Sequence, residues 1–170
     1  DGEEADVDGS GTKIVYTKLD GASGKGEIWT MNLDGSSQTR LTSNTHEDWF
    51  PQWSKDGTKI CFSTDRVGKQ FDIYTMNANG SSPTQVTNSA DDEFGCSFSP
   101  DGTQLAYTLF GLDLDDTGLY RINANGTSRA ILRLAPNMGL GVLWSPGGAT
   151  TPGGLGPWSS GNPRARQRGR

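Results

Sequence analysis

Long apolar runs and histidine are both scarce in this chain. Hydrophobic residues make up 32% of the 170 residues, and no stretch approaches the roughly 20 apolar residues that a membrane-spanning helix requires. His46 is the single histidine, and no Gly-x-Ser-x-Gly sequence occurs. A Ser-His-Asp triad on a nucleophile elbow is therefore not expected. We predict no membrane span and no catalytic centre within these residues.

A leader and a cysteine-rich motif are also missing. The chain begins with Asp1 and has no basic start followed by an apolar run, so it contains no recognisable signal peptide. Cys61 and Cys96 are its two cysteines, and neither a second pair nor a nearby histidine accompanies them. They match neither a zinc site nor a redox motif. We predict two buried thiols.

Positive charge is in the minority. The net charge is −5, and the last 16 residues contain four arginines and no acid, so the remaining residues carry −9. An acidic body disfavours nucleic acid, whose phosphates require Lys and Arg, and favours cationic partners or metal ions. Simple solubility is the alternative explanation. We predict no nucleic-acid partner.

The aromatic and branched residues that are present stand among Gly, Ser, Thr, Asn and Asp, a mixture typical of short strands and tight turns. The chain also repeats itself about every 45 residues. Residues 53–62 match 98–107, and residues 27–36 match 72–81 and 118–127. Each unit holds a turn such as Pro100-Asp101-Gly102 and a later Asp-Gly or Asn-Gly turn, which favour hairpins.

This pattern predicts four antiparallel strands per unit, placed in the second unit near 49–54, 59–64, 71–77 and 84–87. A period of 40 to 50 residues with four short strands is typical of propeller blades. We predict an all-β partial β-propeller of about three four-stranded antiparallel blades. The predicted parts are an N-terminal segment (1–11), blades over 12–147 with repeat units near 10–54, 55–99 and 100–145, and a basic, disordered tail (148–170).

The inner-strand motif Phe98-Ser99-Pro100-Asp101-Gly102 resembles the WD40-like repeat of the TolB family. The third-strand sequence Ile-Tyr-x-Met-Asn is similar too. The resemblance implies a six-bladed parent and a non-catalytic scaffold for protein–protein interaction in the periplasm or outside the cell. The residues that carry the repeat motif are Trp53, Asp56, Gly57, Phe98, Pro100, Asp101, Gly102 and Trp144.

Two other functions remain open. The same repeat occurs in the gating propellers of prolyl-oligopeptidase-like serine peptidases, whose catalytic domain would lie outside this chain. A calcium- or carbohydrate-binding propeller is the third possibility. Three blades cannot close a ring, so we expect either that the chain is a segment of a longer protein or that it self-associates through open blade edges.

Two clusters of charged residues precede the inner strands of consecutive units, where we expect loops around one mouth of the central channel. We call them the acidic loops. They are the predicted binding site for a protein partner or a cation, with solvated turn carboxylates as the alternative. Their residues are His46, Glu47, Asp48, Asp91, Asp92 and Glu93.

Two further patterns carry weaker predictions. Asp113, Asp115 and Thr117 open like a calcium loop, as residues 6–11 do, but neither sequence has the Glu expected at position twelve. We expect no cofactor, with calcium as the open possibility. An aromatic residue also recurs on the third strand, for sugar stacking or, as we predict, for packing between blades. These aromatic residues are Trp29, Tyr74 and Tyr120.

Overall fold

The computed structural model describes residues 2–111, 117–134, 143–145 and 148–150. Within them, twelve strands form three four-stranded antiparallel sheets, here called blades 1, 2 and 3, and a two-stranded hairpin follows. In chain order the strands are β1 (Gly2–Val7), β2 (Lys13–Leu19), β3 (Gly26–Asn32), β4 (Thr39–Arg40), β5 (Asp48–Trp53), β6 (Lys59–Thr64), β7 (Asp72–Asn77), β8 (Thr84–Gln85), β9 (Asp92–Phe98), β10 (Gln104–Phe110), β11 (Gly118–Asn123), β12 (Ala130–Leu134), β13 (Leu143–Ser145) and β14 (Gly148–Thr150).

Every blade is a simple meander in which each strand pairs with the next one in sequence. The all-β class, the four-stranded blades and their strand order are thus confirmed. In the described part of the chain there is no helix, and so none that is long and apolar enough to cross a membrane.

The turn between the first and second strands is built by an aspartate. In blade 2, the Asp56 carboxylate accepts hydrogen bonds from the Ser54 hydroxyl at 2.6 Å and from the Thr58 backbone N–H at 3.1 Å. Gly57 completes the turn with a φ of 68°, a conformation that favours glycine. Asp101 makes the same contacts in blade 3. These motif residues therefore shape the hairpin.

The first strand of each blade bends at an irregularity in its pairing with the second strand. Glu4, Phe50 and Gly95 lie at this point, with φ values of 60°, 58° and 63°. A bulge of this kind increases the local twist of a strand. The three blades share it although only blade 3 has a glycine there, so the tertiary fold imposes this backbone.

The blades pack face to face, and each interface is an apolar cluster. Between blades 1 and 2, Val15 and Ile28 meet Ile60, Phe62 and Met76. The predicted inner-strand aromatic residue of blade 2, Trp53, belongs to the same cluster, as expected for a residue that packs between blades.

The cluster between blades 2 and 3 repeats this arrangement one unit later. Cys61 and Ile73 of blade 2 meet Leu105, Tyr107 and Ile122 of blade 3. Phe98, the counterpart of Trp53, lies in this cluster. The side chain of Trp144 lies outside the described residues.

The prediction of two buried thiols is wrong, because Cys61 and Cys96 form a disulfide. Cys61 is on β6 of blade 2 and Cys96 on β9 of blade 3, and their Cα atoms are 6.1 Å apart. The two cysteines are 35 residues apart in sequence, which is less than one repeat. The second cysteine therefore lies on the first strand of the next blade, although the first cysteine lies on the second strand of its own blade. Stacking of the blades then brings the two positions together.

Two boundaries also differ from the prediction. Residues 2–7, placed by the sequence before the blades, are the first strand of blade 1 and pair with β2. Residues 148–150, placed in the disordered tail, pair with residues 143–145. The rest of the predicted tail, 151–170, lies outside the described residues.

Candidate functional site

The acidic loops connect the fourth strand of one blade to the first strand of the next. The first cluster ends the connection between β4 and β5, and the second ends the connection between β8 and β9. His46, Glu47 and Asp91 lie in these connections, whereas Asp48 is the first residue of β5 and Asp92 and Glu93 are the first two residues of β9. In a meander blade these connections are at the same end as the loops between second and third strands. The predicted site residues are thus at the end opposite the Asp-Gly hairpins.

Two of the predicted carboxylates bind the backbone of the preceding blade. Glu47 Oε2 accepts a hydrogen bond from Gly26 N at 2.8 Å and another from Trp49 Nε1 at 2.9 Å. One repeat later, Asp92 Oδ1 accepts a bond from Phe71 N at 3.0 Å. Both therefore fasten a loop to the start of the third strand of the previous blade.

Asp48 is a buried partner of an arginine. Its side chain is 0% exposed, and it accepts hydrogen bonds from Arg66 Nη2 at 2.9 Å and from Asn44 Nδ2 at 2.7 Å. The Arg66 guanidinium lies over the Tyr74 ring, 5.0 Å from its centroid. The charge of Asp48 is consequently neutralised inside the fold and does not face a ligand.

Glu93 occupies the same position one repeat later and is poorly paired. Its side chain is also 0% exposed, the nearest cation is Arg129 Nη1 at 3.9 Å, and no described donor reaches either carboxylate oxygen with hydrogen-bond geometry. Burial raises the pKa of Glu93 to about 7, against smaller opposing effects of the Thr87 and Ser89 hydroxyls. This carboxyl is a proton-binding group near neutral pH.

The hydroxyl of Tyr107, a neighbour in the same interface, is buried, and no group of the described residues forms a hydrogen bond with it. Burial, followed by the negative charge of Glu93, raises the pKa of Tyr107. Arg129 lies over the ring of Tyr120, 4.7 Å from its centroid. Within the part of the chain that the structure describes, the interface between blades 2 and 3 thus contains a buried carboxylate and a buried hydroxyl without hydrogen bonds of normal geometry.

The sequence interpretation missed two buried carboxylates at the start of the third strands. Glu27 accepts hydrogen bonds from Arg40 Nη2 at 2.8 Å and the Thr42 hydroxyl at 2.6 Å. Asp72 accepts one from Gln85 Nε2 at 3.1 Å, and burial raises its pKa to about 6. The sequence did contain a signal for these two carboxylates. An acidic residue stands directly before each of the two Ile-Trp/Tyr-Thr-Met-Asn sequences.

The part of the acidic loops that faces solvent is small. His46 Nδ1 lies 3.6 Å from Asp65 Oδ1, and their side chains are 39% and 24% exposed. His46 N donates to Asn44 Oδ1. Within the described residues, no serine or threonine hydroxyl is hydrogen-bonded to His46, so this pair is not part of a triad there. Thr45 and Asn88 are exposed next to these loops.

Only part of the predicted calcium loops falls within the described residues. Asp113 and Asp115 lie outside the described residues, and Thr117 is buried. In the N-terminal sequence, Asp8 Oδ1 accepts hydrogen bonds from the backbone N–H groups of Thr12 and Lys13, both at 2.8 Å. Over the described ranges, no group of three or more His, Cys, Asp or Glu side chains is arranged to hold a metal ion.

The recurring third-strand aromatic residues each lie beneath a cation. Lys18 Nζ is 4.8 Å from the ring centroid of Trp29, as Arg66 and Arg129 are close to the rings of Tyr74 and Tyr120. The cations come from different places in the three blades. Tyr74 and Tyr120 are buried between blades, in agreement with a packing role.

A polar cleft of about 240 Å³ opens at the hairpin end, where the first strands of the three blades converge. It brings together parts of all three blades, as the centre of a propeller does. Its lining includes Asp6, Gln52, Trp53, Lys55, Ser97 and Pro100.

Face-to-face antiparallel sheets whose first strands converge define a β-propeller. Sequence comparison gives the family: the family model of the TolB beta propeller domain matches residues 8–138. The chain belongs to this TolB β-propeller family.

Solved structures of low sequence identity share the fold. A protein assigned as TolB from Agrobacterium tumefaciens superposes with a TM-score of 0.70 at 23% identity, over 78% of this chain and 49% of that one. TolB from Acinetobacter baumannii gives 0.69 at 20% identity, over 85% and 35%. An oligogalacturonate lyase from Vibrio parahaemolyticus gives 0.67 at 13% identity, over 86% and 45%. The chain therefore spans half or less of the length of these proteins.

Proposed function

We propose that this chain is a non-catalytic propeller scaffold that binds a protein partner through the end of the blades that carries the acidic loops. The observation that carries the proposal is the anchoring of these loops by Glu47 and Asp92. Each carboxylate accepts a backbone hydrogen bond from the preceding blade. The exposed residues next to each carboxylate are therefore held on a rigid frame. Binding residues commonly lie on loops that a rigid scaffold positions.

The charge of the chain supports a cationic contact on the partner. The residues before the arginine-rich C-terminus carry −9, and His46, Asp65 and Asp91 lie partly exposed at this end. A surface of this sign attracts basic segments and speeds their association. We therefore propose a partner that presents Lys or Arg to the loops.

The Cys61–Cys96 disulfide supports a periplasmic or secreted location. Disulfides form and persist in oxidising compartments, and they are rare in reducing cytosol. Both cysteines are buried between blades, so the bond links two neighbouring sheets inside the fold. A TolB-type setting in the cell envelope agrees with this bond.

The test uses paired charge variants at the two ends of the blades. Thr45→Arg with Asn88→Arg places two positive charges beside the acidic loops, and Gln38→Arg with Pro83→Arg places two at the opposite end. Immobilised wild type and both variants are exposed to an envelope extract of the source organism, and the retained protein is purified and titrated by calorimetry. We expect binding to wild type and to the second variant but not to the first. Equal binding to both variants contradicts the proposed surface.

A catalytic or ligand-binding role remains the second candidate, since the lyase similar in fold is an enzyme. Purified protein is assayed with a chromogenic prolyl-peptide substrate and with oligogalacturonate, and it is titrated with calcium and a glycan panel. We expect no turnover. Turnover that is lost in a His46→Ala variant would replace the scaffold proposal.

A further inference from the structure

The connection between β8 and β9, residues 86–91, lies over the buried carboxyl of Glu93. We call it the second connection. Asn88 and Ala90 in this segment are exposed, whereas the Glu93 side chain is 0% exposed. The hydroxyls of Thr87 and Ser89 are near enough to act on the carboxyl, although burial outweighs them and raises the pKa of Glu93 to about 7. A thin layer of chain therefore separates this acid from solvent.

Long hydrogen bonds hold the second connection in place. Ser89 N donates to Asp72 Oδ1 at 3.3 Å, and Asp91 N donates to Ser89 Oγ at 3.3 Å. The Ser89 hydroxyl donates to the Asp91 carbonyl oxygen at 3.2 Å. Hydrogen bonds from N–H to oxygen are commonest at about 2.9–3.0 Å, and longer ones are weaker. The contacts that keep this segment over Glu93 are therefore weak.

The equivalent segment one repeat earlier, between β4 and β5, is held more firmly. We call it the first connection. Asn44 Nδ2 donates to Asp48 Oδ2 at 2.7 Å, and His46 N donates to Asn44 Oδ1, also at 2.7 Å. Asn44 thus ties the first connection to the buried acid beneath it. Ser89, the counterpart of Asn44, makes no bond of hydrogen-bond geometry to Glu93.

The disulfide limits where this interface can open. Cys96 follows Glu93 on β9 and is bonded to Cys61 of blade 2. Glu93 N also donates to Phe71 O at 2.7 Å. The strand beyond Glu93 is therefore fixed to blade 2, and displacement of the weakly held second connection is the shortest route for water to the carboxyl.

Charged and titratable groups from both blades surround Glu93. After burial, the negative charge of Asp72 in blade 2 raises the pKa of Glu93, and the positive charge of Arg129 in blade 3 lowers it. Arg129 Nη1 is 3.9 Å away, beyond hydrogen-bond distance. The groups on the elements around Glu93 are Asp72, Asp91, Asp92, Tyr107, Tyr120 and Arg129.

We propose that the second connection is a proton-linked loop, which lies closed over the Glu93 carboxyl while this group holds a proton and opens when the proton is released. Opening gives water to a carboxylate that has no hydrogen bond of normal geometry among the described residues. A charge buried without such bonds is costly, so its hydration favours the open loop. The inference does not depend on the partner proposed for the acidic loops.

The direction of the pH dependence follows from the two states of the loop. The pKa of Glu93 is about 7 in the closed loop, and we expect the ordinary value of 4.5 in the open loop. The open loop therefore holds fewer protons between these values, and opening becomes more favourable as the pH rises from about 4.5 to about 7. Above pH 7 the carboxyl is ionised in both states, and the effect levels off. Each pH unit within the range changes the ratio of open to closed loop by up to about tenfold.

Amide hydrogen exchange of the full, disulfide-bonded chain, measured by NMR at pH 5 and pH 7.5, tests the loop. After correction for the intrinsic exchange rate, we expect the protection of Ser89 and Asp91 to fall at least about tenfold between the two pH values. Asn44 and His46 hold the same positions in the first connection and are the internal control, whose protection should change by less than about threefold. Equal changes in the two connections, or no change in the second, overturn the proposal.

Side-chain variants identify the group that releases the proton. Glu93→Gln keeps the size of the side chain and cannot ionise, so we expect it to lose most of the pH dependence at Ser89. Combination with Asp72→Asn should remove the remainder, because Asp72 accepts the Ser89 hydrogen bond and its pKa is raised to about 6 by burial. Asp91→Asn is the matched control, since it removes a partly exposed carboxylate from the same segment, and it should behave as wild type. A Glu93→Gln variant with wild-type pH dependence overturns the proposal.

The titration of Glu93 itself separates loop opening from a local rearrangement. The carboxyl ¹³C signal of Glu93, assigned by its absence in Glu93→Gln, is followed over the same pH range as the Ser89 amide. We expect the two changes to share one midpoint. If Glu93 loses its proton while Ser89 stays protected, the Arg129 guanidinium has moved to pair with the carboxylate inside a closed loop, and the proposal is overturned.

Discussion

Asp48 and Glu93 lie at equivalent positions near the start of the first strands of blades 2 and 3, and their surroundings differ. Asp48 is held by Arg66 and Asn44, whereas among the described residues Glu93 has no hydrogen bond of normal geometry and its cation lies at 3.9 Å. The second interface has instead a disulfide that the first one lacks. The acid at this repeat position thus has a hydrogen-bonded cationic partner in the first interface. In the second interface it has none of normal geometry among the described residues, and a disulfide lies in the same interface.

The lengths of the acids help to explain this difference. The first interface combines the longer Glu27 with the shorter Asp48, and the second combines the shorter Asp72 with the longer Glu93. Glu27 reaches the Thr42 hydroxyl at 2.6 Å, while Asp72 accepts its bonds from other groups. In these two interfaces, the polar contacts therefore depend on which of the two acids is the longer one.

Removal of the disulfide should have the largest effect and would test whether the second interface depends on it. We expect Cys61→Ala with Cys96→Ala to lower the free energy of unfolding by about 3–4 kcal/mol, because the bond closes a loop across 35 residues of sequence. Urea denaturation measures the change. Val15→Ala, at the position of Cys61 in blade 1, is the control for lost side-chain volume. A loss no greater than that of the control would contradict the assigned role.

Breaking the ion pair tests the first interface. We expect Asp48→Ala to lower the free energy of unfolding by about 2–3 kcal/mol, since the partly buried Arg66 guanidinium and Asn44 then lose their acceptor. The value is below that of a fully buried pair because Arg66 is 19% exposed. Chemical denaturation with Asp48→Asn as the isosteric control separates charge from shape. If the denaturant midpoint of unfolding is unchanged in Asp48→Ala, the ion pair of Asp48 does not stabilise the protein, and Asp48 and Glu93 do not differ in the way described above.

The equivalent change in the second interface should have the opposite sign. The pKa of Glu93 is raised to about 7 from 4.5, so deprotonation is harder in the folded state, and stability falls as pH rises between these values. Glu93→Gln should therefore raise the free energy of unfolding at pH 8 by on the order of 1–3 kcal/mol, and raise the melting temperature with it. At pH 4 we expect little change in either quantity. Calorimetry at both pH values measures this. Destabilisation at pH 8 would show that Arg129 pairs effectively with Glu93.

The smallest effect is expected at Tyr107. Phe62 occupies the same position in blade 2, so Tyr107→Phe removes an unsatisfied buried hydroxyl and keeps the ring. We expect the free energy of unfolding to rise by about 1 kcal/mol. The reverse change, Phe62→Tyr, should lower it. Thermal denaturation of both variants gives the comparison, and destabilisation by Tyr107→Phe would indicate a partner for its hydroxyl.

Strand positions could be predicted from the sequence because local chemistry determines them. The Asp56 and Asp101 turns and the Asn-Gly turns fix the hairpins, and the residues between them alternate. Residues 2–7 escaped prediction because Glu-Glu-Ala-Asp-Val lacks that alternation and gains its place by pairing with β2. Tertiary pairing, not propensity, makes this strand.

The candidate site was less predictable. The sequence pattern placed these residues just before the first strands of the blades, whereas Asp48, Asp92 and Glu93 are part of those strands. It also did not show that Glu47, Asp48, Asp92 and Glu93 turn inward. Their contacts come from another blade or from residues distant in sequence, such as Gly26 and Arg66. The pairing of Cys61 with Cys96 was hidden for the same reason, since spacing along a chain does not give the distance between stacked sheets.

The glycine hairpins have a consequence for how such proteins change in evolution. A Cβ atom on Gly80 of blade 2 would lie 2.7 Å from the carbonyl oxygen of Leu41 in blade 1, and one on Gly126 of blade 3 would lie 2.8 Å from that of Val86 in blade 2. At both interfaces, the hairpin of one blade therefore lies against the fourth strand of the preceding blade. A gene segment of one repeat can thus be duplicated or lost as a unit, and the new neighbours still fit. Adding a blade therefore repeats the existing contact between a hairpin and the preceding fourth strand and does not require a new type of contact.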